Sequence, residues 1–315
     1  MIADYSTALV DGPWRHEFVA ANAARFHVAL AEPADRPGAT RSGGNGGSRA
    51  PLVVLLHTYP QFWWAWRHQV EALAAAGYRV AAMDLRGTGA SDKPPLGYDV
   101  PTRTRDVAGV IRSLGADSAV VVGHGEGGTI AWAMAAMQPA VTRAVAALAA
   151  PHPAHLHVSH RAPYTAAMRR HVAFAQVPFL PERALGDGRL VDDVLRGGAV
   201  RPFDEDTLEL YRTAARIPFA AHCSTEALRW SVRSIPRMDG RRFTTAVRRS
   251  VEQPGLLLLG AEDPYVRTDA AAIDATALVR RLRVQVLDGV GHYLPEEDPE
   301  AVSAALVDWL GDLDG

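Results

Sequence analysis

Residues 118–135, SAVVVGHGEGGTIAWAMA, limit the possible folds of this chain more than any other stretch. The apolar run with three consecutive valines predicts a strand buried on both faces. The alanine-rich stretch after it predicts a helix. Between them lies the glycine-rich turn Gly123-His124-Gly125-Glu126-Gly127-Gly128. A strand that turns this tightly into a helix must fold that helix back over its own sheet. Further apolar strands, PLVVLLH, RVAAMDL and RAVAALAAP, alternate with the helical stretches WRHQVEALAAAGY and PTRTRDVAGVIRSLGA. That alternation predicts an α/β fold, a mostly parallel sheet with helices on both faces. Sites in such sheets form at the carboxyl ends of the strands. His57, Asp84, the glycine turn, Asp263 and His292 all fall there.

The rest of the chain divides around this pattern. Trp14–Val19 and Arg25–Glu32 read as an opening pair of strands. Residues from about 33 to 50 are rich in Gly, Ser, Pro and Arg, and predict a mobile surface loop. The α/β core is expected over residues 1–152 and 233–315, with an inserted helical lid over 153–232, where strand-like alternation is absent. Strand–helix alternation resumes at PGLLLLGAEDPY and RLRVQVLDGVGH, and Asp298 is placed to cap the last helix.

Composition narrows the function classes. A net charge of −2 gives no reason to expect a nucleic-acid partner. The seven arginines between Arg229 and Arg249 read as solvated helix faces. One cysteine, Cys223, excludes an intrachain disulfide. The N-terminus lacks the pattern of a signal peptide, and no apolar stretch is long enough to span a membrane. A cytoplasmic protein is therefore expected. No histidine, cysteine and carboxylate cluster has metal-ligand spacing, and no dinucleotide fingerprint follows a first strand, so neither metal nor cofactor is expected. Oligomeric state is left open.

Five motifs occur in order: LLHTYPQFWWAWRHQV, MDLRGTGASDKP, VVGHGEGG, LLLLGAEDPYV and GVGHYLPEEDPE. Together they resemble the α/β-hydrolase family, in particular its epoxide hydrolase and haloalkane dehalogenase branch. The resemblance spans nearly the whole chain outside the Gly/Ser loop. It implies an α/β-hydrolase fold with a nucleophile elbow at the glycine turn, an acid at Asp263 and a catalytic histidine at His292. It implies that the backbone N–H groups of Tyr59 and Glu126 form the oxyanion hole, and that Pro60 follows a cis bond. Expected around the pocket are His57, Trp63, His124, Phe174 and Tyr293. Asp84 reads as a structural acid that braces loops.

The chain departs from the family at chemically important positions. Gly125 occupies the nucleophile position, and glycine offers no atom for covalent attack. Thr58 stands where the family has glycine beside the oxyanion loop. The lid tyrosines that activate epoxides match Phe174 and the neighbourhood of Glu226–Ala227, which carry no phenol; Tyr164 and Tyr211 are left unassigned. Glu126 reads as an acid at the positive end of a helix, although a carboxylate beside the elbow could bind a cationic group or act as a base.

Three functions are compatible with these residues. One is an epoxide-hydrolase-like protein acting on a small apolar molecule without the usual covalent route. Another is a dyad enzyme of proton-abstraction, lyase or isomerase type. The third is a non-catalytic protein that binds an apolar ligand.

Overall fold

The computed structural model describes residues 3–33, 50–155 and 163–314. The loop expected at about 33–50 lies outside the described residues except at its two ends. Eight strands form a single sheet in the order β1-β2-β4-β3-β5-β6-β7-β8. They are β1 (Arg15–Ala21), β2 (Ala24–Ala31), β3 (Leu52–Leu56), β4 (Arg79–Met83), β5 (Ala119–His124), β6 (Thr142–Leu148), β7 (Gly255–Gly260) and β8 (Leu282–Leu287). The opening hairpin β1–β2 joins antiparallel to β4, and every pairing from β4 to β8 is parallel.

Strands β3, β4, β5 and β7 are buried along their whole length, so their side chains divide by alternation between two cores. Val53 and Leu55 of β3 face one cluster, and Val54 and Leu56 face the other. The first cluster takes α1 (Arg67–Ala75), which ends before Gly77, a residue with φ of 97°. The second takes α2 (Val100–Ser113) and α3 (Glu126–Met137). Asp99 caps α2, accepting from Thr102 N at 2.7 Å.

Between β6 and β7 the described residues form a short 3-10 helix (Pro153–His155) and six α-helices: α4 (Ala166–Ala175), α5 (Leu180–Gly186), α6 (Arg189–Gly198), α7 (Glu205–Ala215), α8 (Ala220–Arg233) and α9 (Met238–Val247). Leu190, Val191, Val194 and Leu195 of α6 join the first core, whereas Phe243 and Val247 of α9 join the second. Helices α6 and α9 therefore share the cores that cover the sheet. After β7 come α10 (Thr268–Thr276), α11 (Leu294–Glu297) and α12 (Pro299–Asp314). Asp298 Oδ1 accepts from Ala301 N at 3.1 Å at the start of α12. Among the described residues, no helix is long and apolar enough to cross a membrane.

Candidate active site

Four loops leaving the carboxyl ends of β3, β5, β7 and β8 meet at one point. The elbow after β5 is packed too tightly for side chains. A Cβ on Gly127 would collide with Leu56 O, so α3 can start against β3 only with glycine there. Gly125 has φ 51° and ψ −108°, a strained conformation that glycine adopts with little steric cost.

Asp263, three residues beyond β7, has its two oxygens divided between tasks. Oδ1 accepts from Tyr265 N at 2.7 Å and Val266 N at 3.0 Å, which fixes the carboxylate plane. Oδ2 lies 2.9 Å from His292 Nδ1. An ionised carboxylate can only accept, so Nδ1 carries the proton and Nε2 keeps its lone pair. The backbone of His292 is held on both sides. Its N–H donates to Gly198 O at 2.8 Å, and its carbonyl accepts from His124 Nε2 at 2.8 Å. The rings of Tyr265 and Tyr293 stand edge-on to it, each at 5.2 Å between centroids. Both phenols donate to Val194 O on α6, at 2.8 and 3.3 Å. Gly198 must be glycine here, because a Cβ would lie 2.5 Å from the Tyr265 ring and 2.7 Å from the Tyr293 ring.

The space beside Gly125 is filled. A Cβ built on this residue would collide with Thr58 Oγ1, and would lie 2.9 Å from Thr58 Cβ and 3.6 Å from His292 Nε2. The Thr58 hydroxyl accepts from Glu126 N at 3.1 Å. Gly125 is the N-cap of α3 and has no side chain to cap with, so Thr58 supplies the acceptor from the neighbouring loop. Of the two donors expected at Tyr59 and Glu126, the Glu126 N–H is bonded to Thr58 Oγ1. The Tyr59–Pro60 peptide is cis.

These loops and the inserted helices enclose a cavity of about 620 Å³. Thr58, Tyr59, Gly125, Glu126, His292 and Tyr293 line it, together with Arg103 of α2, Tyr164 and Trp230. Four other side chains expected there lie elsewhere, because packing claims them. His57 is buried with Nδ1 3.0 Å from Thr58 O, and its Nε2 accepts from Leu85 N at 3.1 Å. Burial holds its pKa below the usual histidine value. Trp63 is fully buried and donates to Ala8 O at 2.7 Å. His124 lies behind the His292 ring, and burial together with that neighbour pushes its pKa well down. Phe174 packs against the first core. Near the second expected lid position, Ala227 lines the cavity and Glu226 turns to Arg229 at 2.9 Å.

Two contributors were not legible in the sequence. Tyr164, pinned by a backbone bridge to Val266, brings its ring to the cavity, and burial raises its pKa to about 12. Tyr211 instead donates to Glu296, away from the cavity. Arg103 Nη1 donates to Glu126 Oε1 at 2.5 Å. The spacing of Val100 and Arg103 on one face of α2 was the available signal, and it reads equally well as an ordinary amphipathic helix.

Asp84 is wholly buried between loops. Its carboxylate accepts from Trp63 N at 3.0 Å and Ala90 N at 2.9 Å, and lies 2.8 Å from His27 Nδ1. Burial opposes its ionisation, but these partners hold its pKa below the usual value. Among the described residues, no group of three or more His, Cys, Asp or Glu side chains is arranged to hold a metal ion.

Residues 53–305 match the Alpha/beta hydrolase family model. Epoxide hydrolase A of Mycobacterium tuberculosis (strain ATCC 25618 / H37Rv) is 31% identical over 306 residues, covering 85% of this chain and 93% of its own length. The AB hydrolase superfamily protein YfhM of Bacillus subtilis (strain 168) is 30% identical over 302 residues, covering 93% of this chain and 97% of its own. Among solved structures, Epoxide Hydrolase A from Mycobacterium thermoresistibile superposes with a TM-score of 0.74 at 26% identity, over 94% of this chain and 98% of its own. The haloalkane dehalogenase DatA from Agrobacterium tumefaciens C58 has a TM-score of 0.77, over 98% of this chain and 99% of its own; at 22% identity this is a likeness of fold.

Proposed function

The chain belongs to the alpha/beta hydrolase family, and we propose that it is an epoxide-hydrolase-like member that works on a small, largely apolar molecule without a covalent intermediate. His292, oriented by Asp263, is the general base. It takes a proton from the substrate or from a water molecule beside it, and helices α4–α8 act as the lid. The observation that carries this reading is the exchange at the elbow. The space of the missing nucleophile is occupied by Thr58 Oγ1, while the Nε2 face of His292 stays directed at that same point. No atom at position 125 can attack carbon, yet the charge-handling pair is complete. A positioned base of this kind contributes about 10²–10⁴ in rate.

The test is turnover of a panel of esters, epoxides, haloalkanes and carbon acids, followed by product analysis and intact-protein mass spectrometry. The expected result is turnover that depends on His292, with no added mass on the protein. An enzyme-bound ester would overturn the non-covalent route. Ligand binding that is unchanged in His292→Ala, with no turnover in either protein, would make the cavity a binding site instead.

A further inference from the structure

The polar groups of the cavity wall are distributed unevenly. Arg103 is 3% exposed, lines the cavity, and bonds through Nη1 to Glu126 Oε1. Its Nε is buried and has no hydrogen-bond partner among the described residues. A guanidinium carries five N–H donors, and burying one short of acceptors is costly. A second arginine, Arg169, lines the same cavity from an exposed position on α4. Against these two cations, Glu126 is the one carboxylate among the described lining residues; Asp263 stands behind His292. The remaining wall is mainly aromatic and aliphatic, including Trp230, Val232 and Ile235.

We propose that the cavity selects an amphiphilic monocarboxylate, with its apolar body against the Trp230 side and its acid head hydrogen-bonded to Arg103 beside Glu126. The inference rests on the reading of this cavity as the ligand site, and names the ligand class. The orphaned Nε is out of a ligand's reach, but an apolar body alone would leave the cavity end of the guanidinium with Glu126 as its one side-chain acceptor among the described residues. A carboxylate head supplies acceptors in a site with little competing water, where charge-assisted bonds are strongest. Glu126 competes for the same cation, so it sets the strength of the interaction while Arg103 supplies it. The head then lies beside the elbow, close to His292, and the selectivity for charge comes from a residue on α2, outside the motifs that carry the chemistry.

Isothermal titration calorimetry with octanoate and octanamide, an acid and its uncharged isostere, tests this on the intact protein. Octanoate should bind about tenfold or more tighter than octanamide, the scale of a charge-assisted hydrogen bond in a dry site. Arg103→Met should remove the difference and leave octanamide affinity in place. Arg103→Lys, which keeps the charge and loses the planar fork, should give an intermediate preference. Glu126→Gln removes the competing carboxylate and should tighten octanoate binding; its result stands even if Arg103→Met fails to fold. Equal affinity for the two probes overturns the proposal while leaving an apolar-ligand cavity intact. So does an octanoate preference that survives in Arg103→Met, or a loss of octanoate affinity in Glu126→Gln. Failure of both probes to bind overturns the proposal and the ligand reading of the cavity together.

Discussion

Two histidine–aspartate pairs lie along this sheet, and their fates differ. His27 and Asp84 are 2.8 Å apart, with both side chains fully buried. His292 and Asp263 are 2.9 Å apart and nearly as dry, at 7% and 1% exposure. The contrast lies in the second nitrogen. His27 Nε2 is bonded to His16 Nδ1 at 2.9 Å, and Asp84 gathers loop amides. His292 Nε2 faces the cavity and the filled elbow. A histidine–carboxylate pair is a brace when both ring nitrogens have partners, and a base when one is left for a ligand.

The largest expected effect tests whether this distinction governs chemistry. His292→Ala should lower turnover by about 10²–10⁴ on any substrate found, with the fold retained by circular dichroism. His27 variants that fold should keep their rate. Equal loss of rate in the two would erase the distinction.

Stability should show the reverse order. His27→Ala strands a wholly buried carboxylate and should cost about 3–5 kcal/mol in chemical denaturation. Both variants leave the acid with two backbone donors, but His292→Ala opens Asp263 to water in the cavity and should cost clearly less. If His292→Ala proves the costlier of the two, the cavity-facing pair is also the structural one.

The elbow sharpens the comparison at the site itself. Gly125→Ser places a side chain at positive φ and against Thr58, and should destabilise by about 1–3 kcal/mol from backbone strain alone. Adding Thr58→Gly should recover part of that loss and free Glu126 N–H. The double variant should then give an acylation burst with an activated ester, drawing on His292 and Asp263. A single Gly125→Ser as stable as the starting protein would mean that Thr58 yields its place freely.

The smallest effect contrasts Asp84 with Glu296, a buried acid that has no histidine partner. Burial raises the Glu296 pKa to about 7, with Arg67 at 2.7 Å opposing it. Its folded pKa lies above the unfolded value of 4.5, so its contribution is present below about pH 4.5 and is lost as pH rises toward about 7. Asp84 is held low, so its contribution is present above the usual aspartate range and is lost on acidification. Denaturation midpoints across pH should show Glu296→Gln flattening the decline between those values. An unchanged slope would place the titration elsewhere.

Much of this was legible in the chain because it is encoded locally. Apolar strands of β-branched residues and helices with capped ends announce themselves in sequence, and Asp263 and His292 follow strands whose ends they mark. The side chains around the pocket were less legible. His57, Trp63, His124 and Phe174 sit in the expected motifs, but backbone partners or core contacts take them away from the cavity. Tyr164 and Arg103 reach it from segments with no chemical signature.

From its sequence alone this chain is bound to an α/β sheet with the elbow glycine, the acid and the histidine at strand ends, because hydrophobic alternation and turn chemistry act between near neighbours. The sequence also excludes a nucleophile at position 125, since glycine has no side chain. What occupies that position was decided by tertiary structure. Thr58 and Glu126 N–H are 68 residues apart and meet through adjacent strands β3 and β5. The same folding saturates His27 and, among the described residues, leaves one nitrogen of His292 without a partner, for no periodicity along a chain records which side chain a neighbouring loop will bring within hydrogen-bond reach.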